Sequence, residues 1–284
     1  MMQGDIDLHL HSQSSDGRLE AGELVRHAYR CGVRLMALTD HDTTAGLAAA
    51  AAAARQIGMD FVPGIEISAD WRGRTVHVLG LGIDPEMAGL RDGIRRLGVE
   101  RERRADAIAV RLDAAGAPGS EALAHIRATA PMVTRTHFAR RLTELGAVRS
   151  LAEAFDRYLG CGRPAAVRSA WPDLAEAVAW VCAAGGIAAL AHPMRYTLSA
   201  GARREMTGEF RDAGGRAIEV VCGGGSATHL QQATLLAHRY ALYGSIGSDF
   251  HDPAVPWNPP GRLAKLPASV RPIWTDTMFP ARFN

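Results

Sequence analysis

His9 and His11 are separated by one residue in Asp7-Leu8-His9-Leu10-His11, at the end of the first hydrophobic run. In an extended strand, residues i and i+2 point to the same face, so the two imidazoles project together where a metal ion could take both. Further nitrogen and oxygen donors follow in bursts: Asp16, Asp40-His41-Asp42, Glu66, His77, His192, Glu219 and Asp249-Phe250-His251. Most of them close a short apolar run. A lone histidine on an apolar strand is more often a satisfied core residue than a ligand, and that reading stands for His77 or His192 taken singly. The combination is harder to place by chance, because the C-terminal ends of the strands form the active face of α/β barrels. The pattern predicts several strand ends converging on one metal cluster.

The elements that must position these donors alternate. Strands are expected near 4–10, 33–39, 60–68, 74–82, 186–191, 216–221 and 242–247, and helices near 20–31, 43–56, 172–184, 200–213 and 226–240. Alternation of this kind argues for an α/β fold with a parallel sheet or barrel. The run Ala48 to Ala54 is low in complexity but strongly helix-forming. Arg72-Gly73-Arg74 between two strands reads as a hairpin turn. From 86 to about 165 no strand is convincing. That stretch reads as three or four helices rich in Arg and Ala, an insertion of the kind that forms a cap over a barrel. The tail from Pro253 is rich in proline and irregular.

Bulk properties narrow the function classes. With 284 residues the chain can hold one barrel-sized domain plus an insertion. A net charge of +2 gives no general nucleic-acid or membrane surface. No stable DNA binding, membrane association or obligate protein partner is expected. Lys265 is the sole lysine, so the cationic groups are guanidinium forks suited to phosphate and carboxylate. Cys31, Cys161, Cys182 and Cys222 are scattered, which excludes a zinc ribbon and reads as buried or incidental thiols in a reducing compartment. No signal peptide or bilayer-long apolar stretch is evident, and a cytoplasmic location is expected.

Four motifs carry a family resemblance: Asp7-Leu8-His9-Leu10-His11-Ser12, Thr39-Asp40-His41-Asp42, Ala191-His192-Pro193 and Ser248-Asp249-Phe250-His251. Gly64-Ile65-Glu66 and His77-Val78-Leu79-Gly80 fall between them in the expected order. The chain resembles the polymerase and histidinol phosphatase (PHP) family of metal-dependent phosphoesterases, relatives of the amidohydrolases. The resemblance implies a distorted (β/α) barrel of seven strands, formed by residues 1–85 and 165–284, with residues 86–164 as a helical cap. It also implies two or three divalent ions. Carried over by position, His9, His11, Glu66 and Asp249 would hold the first ion. Glu66 would bridge to a second held by His77 and His192, and Asp16, His41 and His251 would hold a third. Imidazole and carboxylate suit manganese, zinc or iron. Asp16 stands where some relatives have histidine, which would favour manganese or weaken the third site.

Asp7, Asp40 and Glu219 adjoin these ligands. Asp7 and Asp40 could orient an imidazole by accepting its other N–H. Asp40 could equally cap the following helix, and Glu219 could support the ligands or act as a base partner, with a structural ion pair as the alternative. Two ions a few ångströms apart lower the pKa of a shared water, whose hydroxide can attack phosphorus in line. Asp249 and His192 would then be catalytic. His229 and His137 are candidates for the proton donor to the leaving oxygen.

Substrate choice points to the insert. Met132-Val133-Thr134-Arg135-Thr136-His137-Phe138 reads as a loop entering a helix capped by Thr134 or Thr136, and its N-terminus, with Arg135 and His137, could hold an anion. A solvated basic helix start is the equal alternative. Arg163 and Arg168 could add a second anion contact, and Trp257 could stack on a base or pack on the surface. The Arg-Thr-His-Phe-Ala stretch and Tyr158-Leu159-Gly160 look like a branch of the family that acts on nucleotides. Its members remove the 3′-phosphate of nucleoside 3′,5′-bisphosphates such as adenosine 3′,5′-bisphosphate, and some trim short RNA from the 5′ end. Two alternatives use the same core: histidinol-phosphate phosphatase, which the basic insert fits less well, and a non-catalytic metal-binding module. C–N bond hydrolysis is disfavoured, because no lysine stands at a position for carboxylation.

Overall fold

Seven strands form one sheet in which spatial order equals chain order: β1 (Ile6–Asp7), β2 (Leu35–Leu38), β3 (Asp60–Trp71), β4 (Arg74–Leu81), β5 (Ile187–Leu190), β6 (Ala217–Cys222) and β7 (Tyr243–Gly247). The structure, a computed structural model, describes residues 5–255 and 258–280; Trp257 lies outside the described residues. Neighbours run parallel except around β4, which is antiparallel to both β3 and β5. The hairpin expected at Arg72-Gly73-Arg74 is the β3–β4 turn, with Arg72 and Gly73 both at positive φ.

The first strand is shorter than its hydrophobic run. Beyond Asp7 the chain stays beside the end of β2, where the Thr39 N–H donates to the Leu10 carbonyl at 3.0 Å, and on its other side it joins the last strand: the Leu8 N–H donates to the Ile246 carbonyl at 3.1 Å, and the Asp249 N–H to the His9 carbonyl at 2.8 Å. The sheet thereby closes into a nearly complete barrel. Closure demands close approach, and Gly247 supplies it. A Cβ there would sit 2.2 Å from His9 Cβ and 2.6 Å from Glu219 Oε1.

Helices α1 (Ala21–Arg30), α2 (Leu47–Ile57), α7 (Leu174–Ala183), α8 (Ala200–Asp212) and α9 (Ala227–Arg239) surround the barrel. The alanine run lies in α2 and buries Ala50, Ala53 and Ala54, a small-residue face that lets α1 approach. Between β4 and β5 stand α3 (Ala88–Ala114), α4 (Gly119–Thr129), α5 (Arg135–Glu144), α6 (Leu151–Ala154) and one turn of π-helix, Phe155–Leu159.

The insert has its own apolar cluster, built on Leu112, Ile126, Phe138, Leu142 and Leu159. The first half of α3 belongs instead to the barrel core through Leu90 and Leu97, with Gly93 seated on the Trp180 ring. Two arginines tie the insert to the barrel loops. Arg101 pairs with the fully buried Asp42 at 2.5 Å, and Arg140 donates to the Asp16 carbonyl at 2.6 Å. The irregular tail is held on β7 by the Gly244 N–H to the Arg271 carbonyl and at the start of β6 by Arg216–Asp276 at 2.6 Å. Cys31, Cys161 and Cys182 are exposed rather than buried, and Cys222 is half-buried; all four are free thiols. Among the described residues no helix is long and apolar enough to cross a membrane.

Phe138 is the largest fully buried side chain of the insert. Phe138→Ala should cost about 3–5 kcal/mol in urea unfolding. A loss below about 1 kcal/mol would mean that this cluster is not closely packed.

Candidate metal centre

The donors stand where strands end or just beyond. His9 and His11 follow β1, His41 follows β2, His192 follows β5, and Asp249 and His251 follow β7. Glu66 lies inside β3, which outruns its neighbour: only Asp60–Pro63 pair with β2, and Glu66 meets His41 in an isolated bridge beyond it. β4 runs the opposite way, so His77, near its start, faces the same end of the barrel. His192 and Asp249 both hold positive φ, 28° and 54°. Such strain in non-glycine residues is sustained only where surrounding contacts over-determine it, and it clusters at functional sites.

Glu66 is fully buried and lies at the middle of the set. Its Oε2 is 3.2 Å from His9 Nε2, 3.2 Å from His11 Nε2 and 2.9 Å from His41 Nδ1. Its Oε1 is 3.0 Å from His77 Nδ1 and 2.9 Å from His192 Nε2, and those two nitrogens are 3.3 Å apart. Asp249 Oδ1 is 3.4 Å from His9 Nε2 and 3.1 Å from His11 Nε2. On the far side Asp16 Oδ1 is 3.2 Å from His251 Nε2 and 3.9 Å from His41 Nε2. Three overlapping groups result: His9, His11, Glu66 and Asp249; His41, Glu66 and His77; and His11, Asp16, His41 and His251. Within each, the donor atoms lie within 4.8 Å of one another.

These groups fit cations. His9 Nε2, both ring nitrogens of His11, Asp16 Oδ1, His41 Nδ1 and Glu66 Oε2 are buried without a hydrogen-bond partner. Buried polar atoms normally find one, and here His9 Nε2, His11 Nε2, His41 Nδ1 and Glu66 Oε2 are crowded together instead. The charge balance agrees. Burial opposes a charged His11, but the adjacent Asp249 and Glu66 carboxylates outweigh it and raise its pKa to about 10. Burial likewise opposes charge on His9, Glu66 and Asp249. The surrounding opposite charges raise His9 and hold both carboxyls well below the usual carboxylate range. Two or more divalent ions would replace those protons and leave neutral imidazoles as ligands.

The supporting groups differ partly from expectation. Glu219 does orient an imidazole: its Oε1 is 3.0 Å from His9 Nδ1, while Oε2 accepts the His192 N–H at 2.7 Å. Asp7 holds main chain instead, accepting the N–H groups of Ser248 and Gly261, each at 2.9 Å. Asp40 neither caps a helix nor orients a ring. Its carboxylate braces the loop after His11 through Ser12 N–H at 2.7 Å, Ser12 Oγ at 2.6 Å and Ser15 Oγ at 2.6 Å. Those loops turn sharply, and their amides would otherwise be buried without acceptors.

The insert contributes a cationic wall beside Asp16. Thr134 caps α5, with His137 completing a reciprocal capping box. Burial lowers the His137 pKa to about 4, which keeps its imidazole neutral. Arg135, half-buried, faces Arg101 and Arg104. Burial, and then the neighbouring Arg135 and Arg101 cations, push Arg104 down to about 9. Arg104 Nε, Trp171 Nε1 and Ser169 Oγ are buried donors without partners, and the Arg101 and Arg104 guanidiniums lie 5.4 and 5.7 Å from the Trp171 ring centre.

The remaining expected site residues are dispersed. Arg163 is exposed at the end of the insert, and Arg168 lies against Gly73 of the β3–β4 turn. His229 caps α9 together with Ser226 and lines an open cavity that reaches His192. Sequence reasoning missed Arg101, Arg104, Arg140 and Arg195. The last contacts the Asp249 carboxylate and donates to the Gly223 carbonyl at 2.8 Å. Arg101 and Arg104 carry a weak signal, two arginines at i and i+3 in an Arg-rich helix, which also describes a solvated face.

Comparison with known proteins agrees with this geometry. A PHP-domain family model matches residues 7–123. The chain is 42% identical to the 3′,5′-nucleoside bisphosphate phosphatase of Chromobacterium violaceum, over 96% of this chain and 96% of that protein. It is 41% identical to the 5′-3′ exoribonuclease of Haemophilus influenzae, over 96% of this chain and 99% of that one. A solved structure of an amidohydrolase from Chromobacterium violaceum, with bound sulfate and no metal, superposes with a TM-score of 0.90 at 41% identity, covering 95% of this chain and 94% of the other. The chain belongs to the PHP-domain family.

The raised imidazole pKa values set a pH dependence. His11 titrates near 10 when folded, against about 6.5 when unfolded. Between those values the folded state binds more protons, so stability is full below about 6.5 and falls as pH rises toward 10. The lowered carboxylates lose their contribution only in acid, outside this window. The melting temperature of chelator-treated protein should therefore drop by several degrees between about pH 7 and 9.5, and manganese should restore most at the alkaline end. A flat or rising profile would contradict the charge balance described.

Proposed function

We propose that this protein is a metal-dependent phosphoesterase that hydrolyses the 3′-phosphate of nucleoside 3′,5′-bisphosphates, adenosine 3′,5′-bisphosphate among them, and trims short RNA from the 5′ end. One observation carries the choice of substrate: a partly buried cluster of Arg101, Arg104 and Arg135, in which Asp42 pairs with Arg101 and no carboxylate among the described residues pairs with Arg104 or Arg135, adjoins the Asp16 edge of the donor set. A buried cation cluster is costly without an anion, and a second phosphate would supply one. The nucleotide-acting relatives point the same way. A monophosphate such as histidinol phosphate would leave the cluster unmatched.

The metal ligands in this reading are His9, His11, Glu66 and Asp249 for one ion, Glu66, His77 and His192 for a second, and Asp16, His41 and His251 for a third. The oxygen-rich third group makes manganese the first choice, with zinc or iron as the others. When bound, the ions supply charge neutralisation at the phosphoryl group and an acidified water. The chain's own residues do the rest. Glu219 holds the His9 ring and the His192 backbone in place. Arg195, at the rim beside Asp249, can neutralise a phosphoryl oxygen. The insert, residues 86–164, acts as a cap whose Arg101, Arg104 and Arg135 hold the 5′-phosphate, fixing the distance to the 3′-phosphorus. Water adds its oxygen to phosphorus, the P–O3′ bond breaks, and a proton ends on the ribose 3′-oxygen. His137, held neutral, is unsuited to donate that proton near pH 7. It serves as a hydrogen-bonding wall of the 5′-phosphate site.

Arg104→Ala and Arg135→Ala should each raise KM for adenosine 3′,5′-bisphosphate by about 10- to 100-fold, with a far smaller effect on a nucleoside 3′-monophosphate. An equal effect on both substrates would remove the arginines from the second-phosphate role. Asp249→Asn or His192→Ala should abolish turnover in protein that still folds, and full activity in either variant would refute the reading.

A further inference from the structure

A second feature leads away from the metal centre along walls that contain no residue of the insert. A cavity of about 360 Å³ opens at His192 and Glu219 and runs past Cys222 to Arg262 and Leu263. A groove of about 570 Å³ between α8 and α9 carries Arg203, Arg204, Leu235, Leu236 and Arg239. Met194 lines both, so the two adjoin at that side chain. The second groove has no carboxylate in its lining, and the first has only Glu219, whose oxygens are engaged by His9 and His192. The acidic residues of α8 are committed elsewhere: Glu205 and Glu209 pair with Arg72 and Asp212 with Arg211. Arg203 is used locally, donating to the carbonyls of Pro193, Tyr196 and Leu198. Arg204, Arg239 and Arg262 are exposed, and among the described residues no carboxylate pairs with them. Leu235 is 61% exposed in this setting, an aliphatic surface beside cations.

Unpaired cations alternating with apolar surface, in a groove that begins at the hydrolytic centre, suit a single-stranded polyanion with flat bases. Each compartment lies within the size range that holds one nucleotide-sized ligand. We propose that this groove is the track for the downstream part of a single-stranded RNA substrate. The nucleotide after the scissile phosphate lies in the His192–Arg262 cavity, and the next passes Met194 into the α8–α9 groove. This rests on the reading of the metal centre as a nucleotide phosphoesterase and assigns the residues that would favour RNA of several nucleotides over a free bisphosphate. Arg262 would serve the first downstream phosphate and Arg204 and Arg239 the later ones.

The test uses the full chain loaded with manganese and three substrates: adenosine 3′,5′-bisphosphate and 5′-phosphorylated RNAs of two and five nucleotides. For the unaltered protein, KM should fall about fivefold or more from the dinucleotide to the pentanucleotide. Arg239→Glu should raise the pentanucleotide KM about tenfold and leave the dinucleotide and the bisphosphate within about twofold. Arg262→Glu should likewise raise the pentanucleotide KM and spare the bisphosphate. Equal KM for the two RNA lengths in the unaltered protein, unchanged pentanucleotide KM in both variants, or equal loss on the bisphosphate would overturn the track. Fluorescence anisotropy with a labelled, non-cleavable 2′-O-methyl pentanucleotide separates the two readings. If the protein fails to hydrolyse the bisphosphate, the phosphoesterase reading falls, while weaker binding of this probe by Arg239→Glu than by the unaltered chain still supports the groove. Equal binding by both overturns it.

Discussion

Five imidazole nitrogens lie within 3.2 Å of the one buried carboxylate of Glu66. An isolated carboxylate without water is among the most costly groups a protein can bury, so the surroundings of Glu66 must be cationic. Protons on the imidazoles meet that requirement in one state and divalent ions in another. The rest of the fold follows from bringing four separate chain segments to this oxygen pair. β3 must outrun β2 to carry Glu66 past the strand ends, β4 must return antiparallel to present His77, and the barrel must close to bring β7 against His9.

Positions around Glu66 are fixed by groups that touch no phosphate. Glu219 spans His9 and the His192 backbone, and Asp7 and Asp40 gather the amides of the loops that carry the other donors. Gly247 leaves the gap into which His9 fits. Ligand geometry is thus set by a rigid layer, which spares the cations from organising the site as they bind. The insert joins this layer at two points, Arg101 on Asp42 and Arg140 on the Asp16 carbonyl. Its arginines are therefore held at a defined place relative to the donors.

Much of this is readable from residue spacing. The two-residue interval of His9 and His11 gives their common face, Arg72-Gly73-Arg74 gives the hairpin, and Thr134 or Thr136 gives the start of α5 to within two residues. What escapes sequence reasoning depends on which surfaces meet. Nothing local separates Arg101 and Arg104 from the other arginines of α3 until the helix is seen to lie over Asp42 and Trp171. Asp40 reads as a cap or a ring partner because both are short-range roles, whereas its actual donors, Ser12 and Ser15, lie on another strand's loop. β1 appears longer in the hydrophobic pattern than in the ladder, since apolarity records burial and not which strand receives the hydrogen bonds.

The number of manganese ions retained by the chain and by Glu66→Gln tests the central claim most directly. Glu66 stands in two of the three overlapping groups, so a single neutral amide should disturb more than one ion. After loading and gel filtration, elemental analysis should find two or more equivalents in the unaltered protein and fewer than one in folded Glu66→Gln. Equal stoichiometry in the two proteins, or less than one equivalent in the unaltered chain, would contradict a multinuclear centre organised on Glu66.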